Sequence, residues 1–299
     1  MGKMGQNEID QFIELGYVKI ENAFSEALAE ECRSILWKAI QLNPNEPAMW
    51  TKPVIRIGEI ALEPFQKAAN TPALLEAYHQ LAGDNWLPKM SLGTFPIRFP
   101  SKEPAGDTGW HVDASYPGDD PNDYFQWRIN VHSKGRALLM LFLFSDVSED
   151  DAPTVLREGS HLDVAKLLHE EGTHGLSFMQ LAQKLDDLPK RNEVMATGKA
   201  GTVYLCHPFI VHAAQEHRGK NPKFMAQPAL LTKTDFDIAQ PAALCCPVEK
   251  AIQKGIGILN VQNKAQALPF QLKQLKNETD KTPHYFCNHP DFSCLYVKA

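Results

Sequence analysis

The longest apolar run in this sequence, ALLMLFLF at 137–144, is far short of the roughly 20 residues a helix needs to cross a bilayer. It suits a strand buried on both faces instead. Surplus positive charge is missing too. Thirty Lys and Arg against 36 Asp and Glu leave a formal net charge of -6, which gives no electrostatic footing on nucleic acid or an anionic membrane. Cysteine is sparse. The six residues Cys32, Cys206, Cys245, Cys246, Cys287 and Cys294 contain no C-x-x-C pair, so no disulfide framework is expected, and a cytoplasmic chain with reduced thiols is. The opening MGKMGQNEID has no apolar stretch of the signal-peptide kind, and Gln6 fails the myristoylation pattern. Internal repeats and low-complexity segments are absent. What remains is 299 residues, 43% apolar and 22% charged, the composition of an ordinary globular protein with a sizeable core.

The first 90 residues read as helical. Asn7 can cap a short helix ending near Gly16. Leu28, Cys32, Ile35, Leu36, Ala39 and Ile40 form the stripe of a second helix over 25–41. Thr71-Pro72 starts a third, with proline at the first helical position. Residues 42–55 read as a loop. From 91 to 235 the pattern changes to short apolar runs between turn residues, among them SLGTFPIRF, WRINVH, ALLMLFLF, GTVYLCH and FIVHAA. A helical insertion is expected over 163–200, with Asp163 as its cap. In the tail, Pro247 starts a helix to Lys254, and 263–276 forms another. Helices followed by a strand-rich core predict an all-β jelly roll buttressed by flanking helices. An open α+β sheet is the competing fold.

Three H-x-D pairs stand out: His111-Val-Asp113, His161-Leu-Asp163 and His289-Pro-Asp291. One residue apart on an extended strand, a His and an Asp share a side. Two imidazoles and a carboxylate on one face of a metal are the donor set of non-haem Fe(II), with the other face left for cosubstrate and O2. The first pair suits this best, since a β-branched Val separates its members and a long downstream stretch can supply a second His. The second pair follows a turn. The third has no His after it and carries a proline. CHPFIVHAAQ offers both His207 and His212 as the third ligand. His212 lies deeper in an apolar run, whereas a hydrogen bond to a loop carbonyl would account for His207. His132 is too near Asp113 in sequence to come from a distant strand.

In these segments the chain resembles the phytanoyl-CoA dioxygenase family of Fe(II)- and 2-oxoglutarate-dependent oxygenases. TGWHVD resembles its H-x-D strand, ALLMLFLFSDVSEDDAPTVLREGSH its strand, acidic turn and Gly-Ser-His stretch, and GTVYLCHPFIVHAAQEHRGKNP its distal-His segment. The resemblance spans about 108–235. It implies a double-stranded β-helix in a single oxygenase domain over 1–299, with a helical support at 1–90 and a C-terminal extension at 236–299. It implies His111, Asp113 and His212 as iron ligands, a structural role for His161, and Fe(II), 2-oxoglutarate and O2 as cofactors. The implied reaction oxidises an unactivated C–H bond of a small organic substrate and releases succinate and CO2.

Two departures concern 2-oxoglutarate. The family places an Arg about eleven residues after the distal His, to grip the far carboxylate of this cosubstrate. Lys223 stands there, with one point charge in place of a planar fork. Arg98, on the strand leading toward His111, is a second cation for the same anion or for the substrate. Ala214 occupies a position where a hydroxyl often assists. Asp113 itself favours oxygenation over halogenation, for which related enzymes replace the carboxylate with a small residue. Tyr116, Trp127 and Arg128, in the loop after Asp113, are candidate substrate contacts, as are Tyr124, Phe125 and Asn130, and the insertion at 163–200 is a candidate lid. The aromatics would equally serve as packing between loop and barrel. Alternative functions are a cupin-like metal dioxygenase or isomerase without 2-oxoglutarate, and a jelly-roll binding protein with a vestigial site. His284, Cys287, His289 and Cys294 are the one other metal candidate, at a spacing that matches no zinc pattern.

Overall fold

The computed structural model describes residues 3–258. The expected helix at 263–276 and the Cys and His residues from Cys287 onward, with His284, lie outside the described residues. The chain runs through α1 (Gln6–Leu15), β1 (Tyr17–Ile20), α2 (Glu26–Ile40), β2 (Val54–Ile57), α3 (Glu63–Ala69), α4 (Pro72–Ala82), β3 (Phe95–Arg98), β4 (Arg128–Ile129), β5 (Leu138–Leu143) and β6 (Val155–Arg157). It continues through α5 (Ser160–Glu170), β7 (Leu176–Ser177), α6 (Phe178–Lys184), β8 (Glu193–Met195), β9 (Val203–Cys206), β10 (His212–Ala213), β11 (Met225–Ala226), β12 (Ala229–Leu230) and α7 (Pro247–Gly255).

The major sheet has the order β1-β9-β5-β11, with β12 also on β5. The minor sheet is β10-β6-β8, and every pairing in both sheets is antiparallel. β5 explains why the two sheets stack. All six of its residues are buried, and its pleat divides them. Leu139, Leu141 and Leu143 join Leu156, Ala196, Ile210 and Met225 in one cluster between the sheets. Leu138, Met140 and Phe142 join the larger cluster made by Phe24, Phe65, Phe144 and the helices. This is the jelly roll with a helical buttress, not an open α+β sheet. No helix among the described residues is long and apolar enough to cross a membrane.

The helical stripes fold as the spacing predicts. Ser25 accepts from Leu28 N–H at 3.2 Å to start α2, which buries Ala29, Cys32 and Leu36. Thr71 caps α4 in the same way, ahead of Pro72. α7 begins at Pro247 as predicted.

Other expectations fail for physical reasons. α1 starts two residues earlier, on Gly5 rather than Asn7. Gly16 ends it in the left-handed region at φ 88°, and the next four residues, YVKI, are a strand, not helix. β1 is too short to show a period, and its edge position on β9 supplies its order. The loop expected at 42–55 contains a 3-10 turn at Pro47–Met49 and the start of β2. α5 begins at Ser160, so Asp163 is not its cap. Asp163 instead holds Arg191 in a two-bond fork at 2.7 and 2.8 Å. The 163–200 stretch is only partly helical, because β8 completes the minor sheet.

Candidate metal centre

β10 meets β6 along one edge, with His212 opposite Leu156. Along its other edge His111 forms an antiparallel bridge to His212, with both N–H···O bonds at 2.9 Å. Directly opposed residues in such a bridge send their side chains to the same face. The two imidazole centroids are accordingly 4.3 Å apart. The intervening Val112 is buried in the large apolar cluster, so the alternation returns Asp113 to the side of His111. Asp113 Oδ1 lies 3.7 Å from His111 Nε2 and 3.8 Å from His212 Nε2. One ligand atom from each of the three lies within 4.8 Å of the others.

The orientation of each donor is fixed from behind. His111 Nδ1 is 2.8 Å from the Gly109 carbonyl, and His212 Nδ1 is 3.1 Å from that of Ile210. A carbonyl only accepts, so each Nδ1 carries the proton and each Nε2 turns a lone pair inward. Arg136 donates to Asp113 Oδ2 at 2.8 Å and to the Ala114 carbonyl at 3.1 Å, which leaves Oδ1 to face the imidazoles. Burial opposes ionisation of Asp113, but the Arg136 charge, joined by the two imidazoles when they are protonated, outweighs it and holds the carboxyl down at about 2. Burial, then the neighbouring His111, lowers His212 to about 4. Two neutral imidazoles and one ionised carboxylate, each tethered through its far atom, fit a divalent first-row metal.

A cavity of about 210 Å³ opens from His111 and His212. Its far lining is cationic. Arg98 and Lys223 oppose each other across an antiparallel bridge, with N–H···O bonds of 3.0 and 2.8 Å. Both are buried, at 2% and 1% exposure. Asp107 Oδ2 pairs with Arg98 Nη2 at 2.7 Å and with Arg56. Lys223 donates to the Ala152 carbonyl. Burial, then the Arg98 charge, lowers Lys223 to about 7. Ala214 lines this cavity without a hydroxyl, and Thr154 supplies a hydroxyl residue to its lining. Gln227 Nε2 lies 3.3 Å from His212 Nε2.

The candidate substrate residues gather elsewhere. Tyr116 donates to the His174 carbonyl at 2.7 Å, and Arg128 donates to the carbonyls of His174 and Gly175 at 3.0 and 2.7 Å. Asn130 donates to Thr173 O at 2.8 Å. Trp127 donates to Pro121 O at 2.9 Å. Tyr116, Arg128 and Asn130 bind the stretch after Asp113 to the segment before α6, the Trp127 bond closes the loop on itself, and none of the four lines the cavity at His111 and His212. The aromatic beside the centre is Phe178, 5.8 Å from His111 between ring centroids, with Tyr124 and Phe125 packed on it at 5.3 and 6.0 Å. Trp110 sits under the Arg157 guanidinium at 3.8 Å.

Three further histidines from the sequence reading, His207, His161 and His132, lie against backbone carbonyls. His207 is 3.3 Å from the Val248 carbonyl, a carbonyl partner as expected of it, though one in the first turn of α7 and not in a loop. His161 is 3.1 Å from Ile13 O, and His132 is 3.0 Å from Phe236 O. Sequence reasoning missed Arg136, Arg56, Asp107, Thr154, Phe178 and Gln227. One signal was available: Arg136 heads the wholly buried ALLMLFLF run, where a charge needs a partner.

A family model for phytanoyl-CoA dioxygenase matches residues 12–225. No curated protein sequence matches the chain. Among solved structures, the non-haem α-ketoglutarate-dependent carbocyclase SnoK from nogalamycin biosynthesis aligns with a TM-score of 0.50 at 16% identity, over 78% of this chain and 87% of that one. GIG2 of Candida albicans aligns at 0.52 and 14%, over 78% and 64%. HygX of Streptomyces hygroscopicus, with nickel and 2-oxoglutarate bound, aligns at 0.50 and 16%, over 75% and 85%. At these identities the structural likeness speaks for the fold.

Proposed function

The chain belongs to the phytanoyl-CoA dioxygenase family, and on that premise we propose that it is an Fe(II)- and 2-oxoglutarate-dependent dioxygenase. It oxidises an unactivated C–H bond of a small organic substrate and releases succinate and CO2. The observation that carries this reading is the convergence of His111, Asp113 and His212, each held through its far atom so that the free donors meet within 4.8 Å. That HygX and SnoK, which share the fold, are described with 2-oxoglutarate or as dependent on it supports the choice of cosubstrate.

His111, Asp113 and His212 would hold the iron. Bound there, Fe(II) supplies the redox chemistry that couples decarboxylation of 2-oxoglutarate by O2 to oxidation of the substrate. The chain's own residues do the rest. Arg136 keeps Asp113 ionised and aimed. Lys223 and Arg98 take the distal carboxylate of 2-oxoglutarate at the buried end of the cavity. Phe178, with Tyr124 packed on it, covers one side of the His111 ring. Tyr116, Trp127 and Arg128 act on the substrate side by fixing the loop that carries Tyr124 and Phe125.

Anaerobic Fe(II) titration followed by succinate measurement tests the reading. His111→Ala should abolish both metal binding and 2-oxoglutarate turnover. Succinate formation that survives the substitution refutes it. Lysine at 223 is the one feature that favours a metal enzyme without 2-oxoglutarate, and oxygen consumption without succinate release would establish that alternative.

A further inference from the structure

The cationic end of the cavity is unevenly neutralised. Asp107 pairs with Arg98 and Arg56, and the Arg98 fork engages it through Nη2 alone. Arg98 Nε and Asp107 Oδ1 are left buried without partners. Lys223 fares worse. Its side chain is fully buried, its Nζ donates to a neutral carbonyl, and its directly opposed neighbour is the like-charged Arg98. The charged and titratable groups facing it are Arg98 on β3, Arg56 on β2, Asp107 before His111, Asp151 after β5, and His217 after β10. Asp151 is engaged by Ser148, whose N–H and hydroxyl donate to it at 2.9 and 2.6 Å, and His217 lies 3.9 Å from Asp151. No carboxylate among the described residues is within ion-pair distance of Lys223 Nζ. A buried ammonium without a counter-charge sheds its proton more readily than one in water, and an arriving carboxylate reverses that preference.

We propose that 2-oxoglutarate binds together with a proton: Lys223 and Arg98 share its distal carboxylate, and Lys223 acquires its full charge only when that carboxylate arrives. This rests on the dioxygenase reading above. The geometry divides the work that a single Arg does elsewhere. Arg98 contributes the permanent charge and its unpaired Nε edge, whereas Lys223 contributes a charge that the ligand itself calls up. Burial without a counter-charge, beside Arg98, pushes the free lysine down to about 7. The distal carboxylate is ionised throughout the neutral range. Affinity is therefore full below pH 7 and falls as pH rises above it, by about tenfold per unit until the ligand-bound lysine itself deprotonates.

The test is titration calorimetry of the protein loaded with Zn(II), which takes the same donors without O2 chemistry. 2-Oxoglutarate and 2-oxobutyrate, which lacks the distal carboxylate, are each measured at pH 6.5, 7.5 and 8.5. Each titration is run in two buffers of different ionisation enthalpy. The expected result is a 2-oxoglutarate affinity that drops about tenfold between pH 7.5 and 8.5 relative to 2-oxobutyrate, with uptake approaching one proton per site. Lys223→Arg should retain the dicarboxylate preference and lose the slope. The buffer dependence of the wild-type heat needs no variant, so it stands even if Lys223→Arg misfolds. Discrimination at pH 6.5 without extra slope or proton uptake overturns the proton coupling alone. Equal affinity for the two acids at pH 6.5 overturns the dicarboxylate reading, and the proposal with it.

Discussion

Replacing Arg136 by Gln tests how the metal centre is held. The guanidinium donates to Asp113 Oδ2 at 2.8 Å and to Ala114 O at 3.1 Å, and the two side chains are only 11% and 14% exposed. Gln keeps a hydrogen-bond donor and removes the charge. Leaving one partner of a buried pair uncompensated costs about 3–5 kcal/mol. The retained amide bond returns about 1 kcal/mol of that. A net loss of about 2–4 kcal/mol corresponds, at the few degrees per kcal/mol of a large domain, to a fall of about 5–10 °C in Tm. The second effect is on the metal. Without Arg136 the carboxyl of Asp113 rises from about 2, because burial then acts with less opposition. Its Oδ1 also loses the restraint that aims it at the imidazoles. Loss of such an outer partner weakens metal affinity by about 10- to 100-fold, or about 1.4–2.7 kcal/mol. Anaerobic Fe(II) or Mn(II) titration of folded R136Q, checked by circular dichroism, measures it. A variant that binds metal within threefold of the parent and melts within a degree of it would show that Arg136 neither aims nor ionises Asp113.

The buried pair His161 and His207, with centroids 4.8 Å apart, predicts acid lability. Burial lowers His161 to about 3 and His207 well below its ordinary value, while the unfolded chain protonates both below about 6.5. The folded state then binds fewer protons, so stability present above pH 6.5 is lost as pH falls toward 3, by about 1.4 kcal/mol per unit for His161 alone. Urea midpoints that agree at pH 7 and 4.5 would contradict this. Ser25→Ala removes the α2 cap and should cost about 1 kcal/mol, read as a Tm lowered by about 2–4 °C. Gly175→Ala should cost about 2 kcal/mol or more by thermal melting, because the residue sits at φ 62° and a Cβ would come within 2.0 Å of Ile129 O. A melting curve matching the parent's would mean that the loop shifts to admit the methyl group.

The amino-acid sequence by itself determined the elements whose signal is local. The stripe from Leu28 to Ile40, the proline starts at 72 and 247, and the unbroken apolar run at 137–144 each dictate a helix or a buried strand through period or backbone restriction. The H-x-D spacing likewise dictates that His111 and Asp113 share a side of any extended chain. Tertiary structure decided how their partners come to lie across from them. His212 enters because it is the residue bridged to His111, a pairing between positions 101 residues apart. Phe178 reaches the centre from a segment whose own sequence carries no mark of it, and Arg136, a charge at the head of a buried run, finds its partner Asp113 only in the fold. β1 is a strand only because β9 offers it an edge, and Asp163 turned from cap to ion pair once Arg191 lay alongside. Periodicity is written in the chain, but partners at long separation are chosen by packing, and the electrostatics of a buried site belong to the partners.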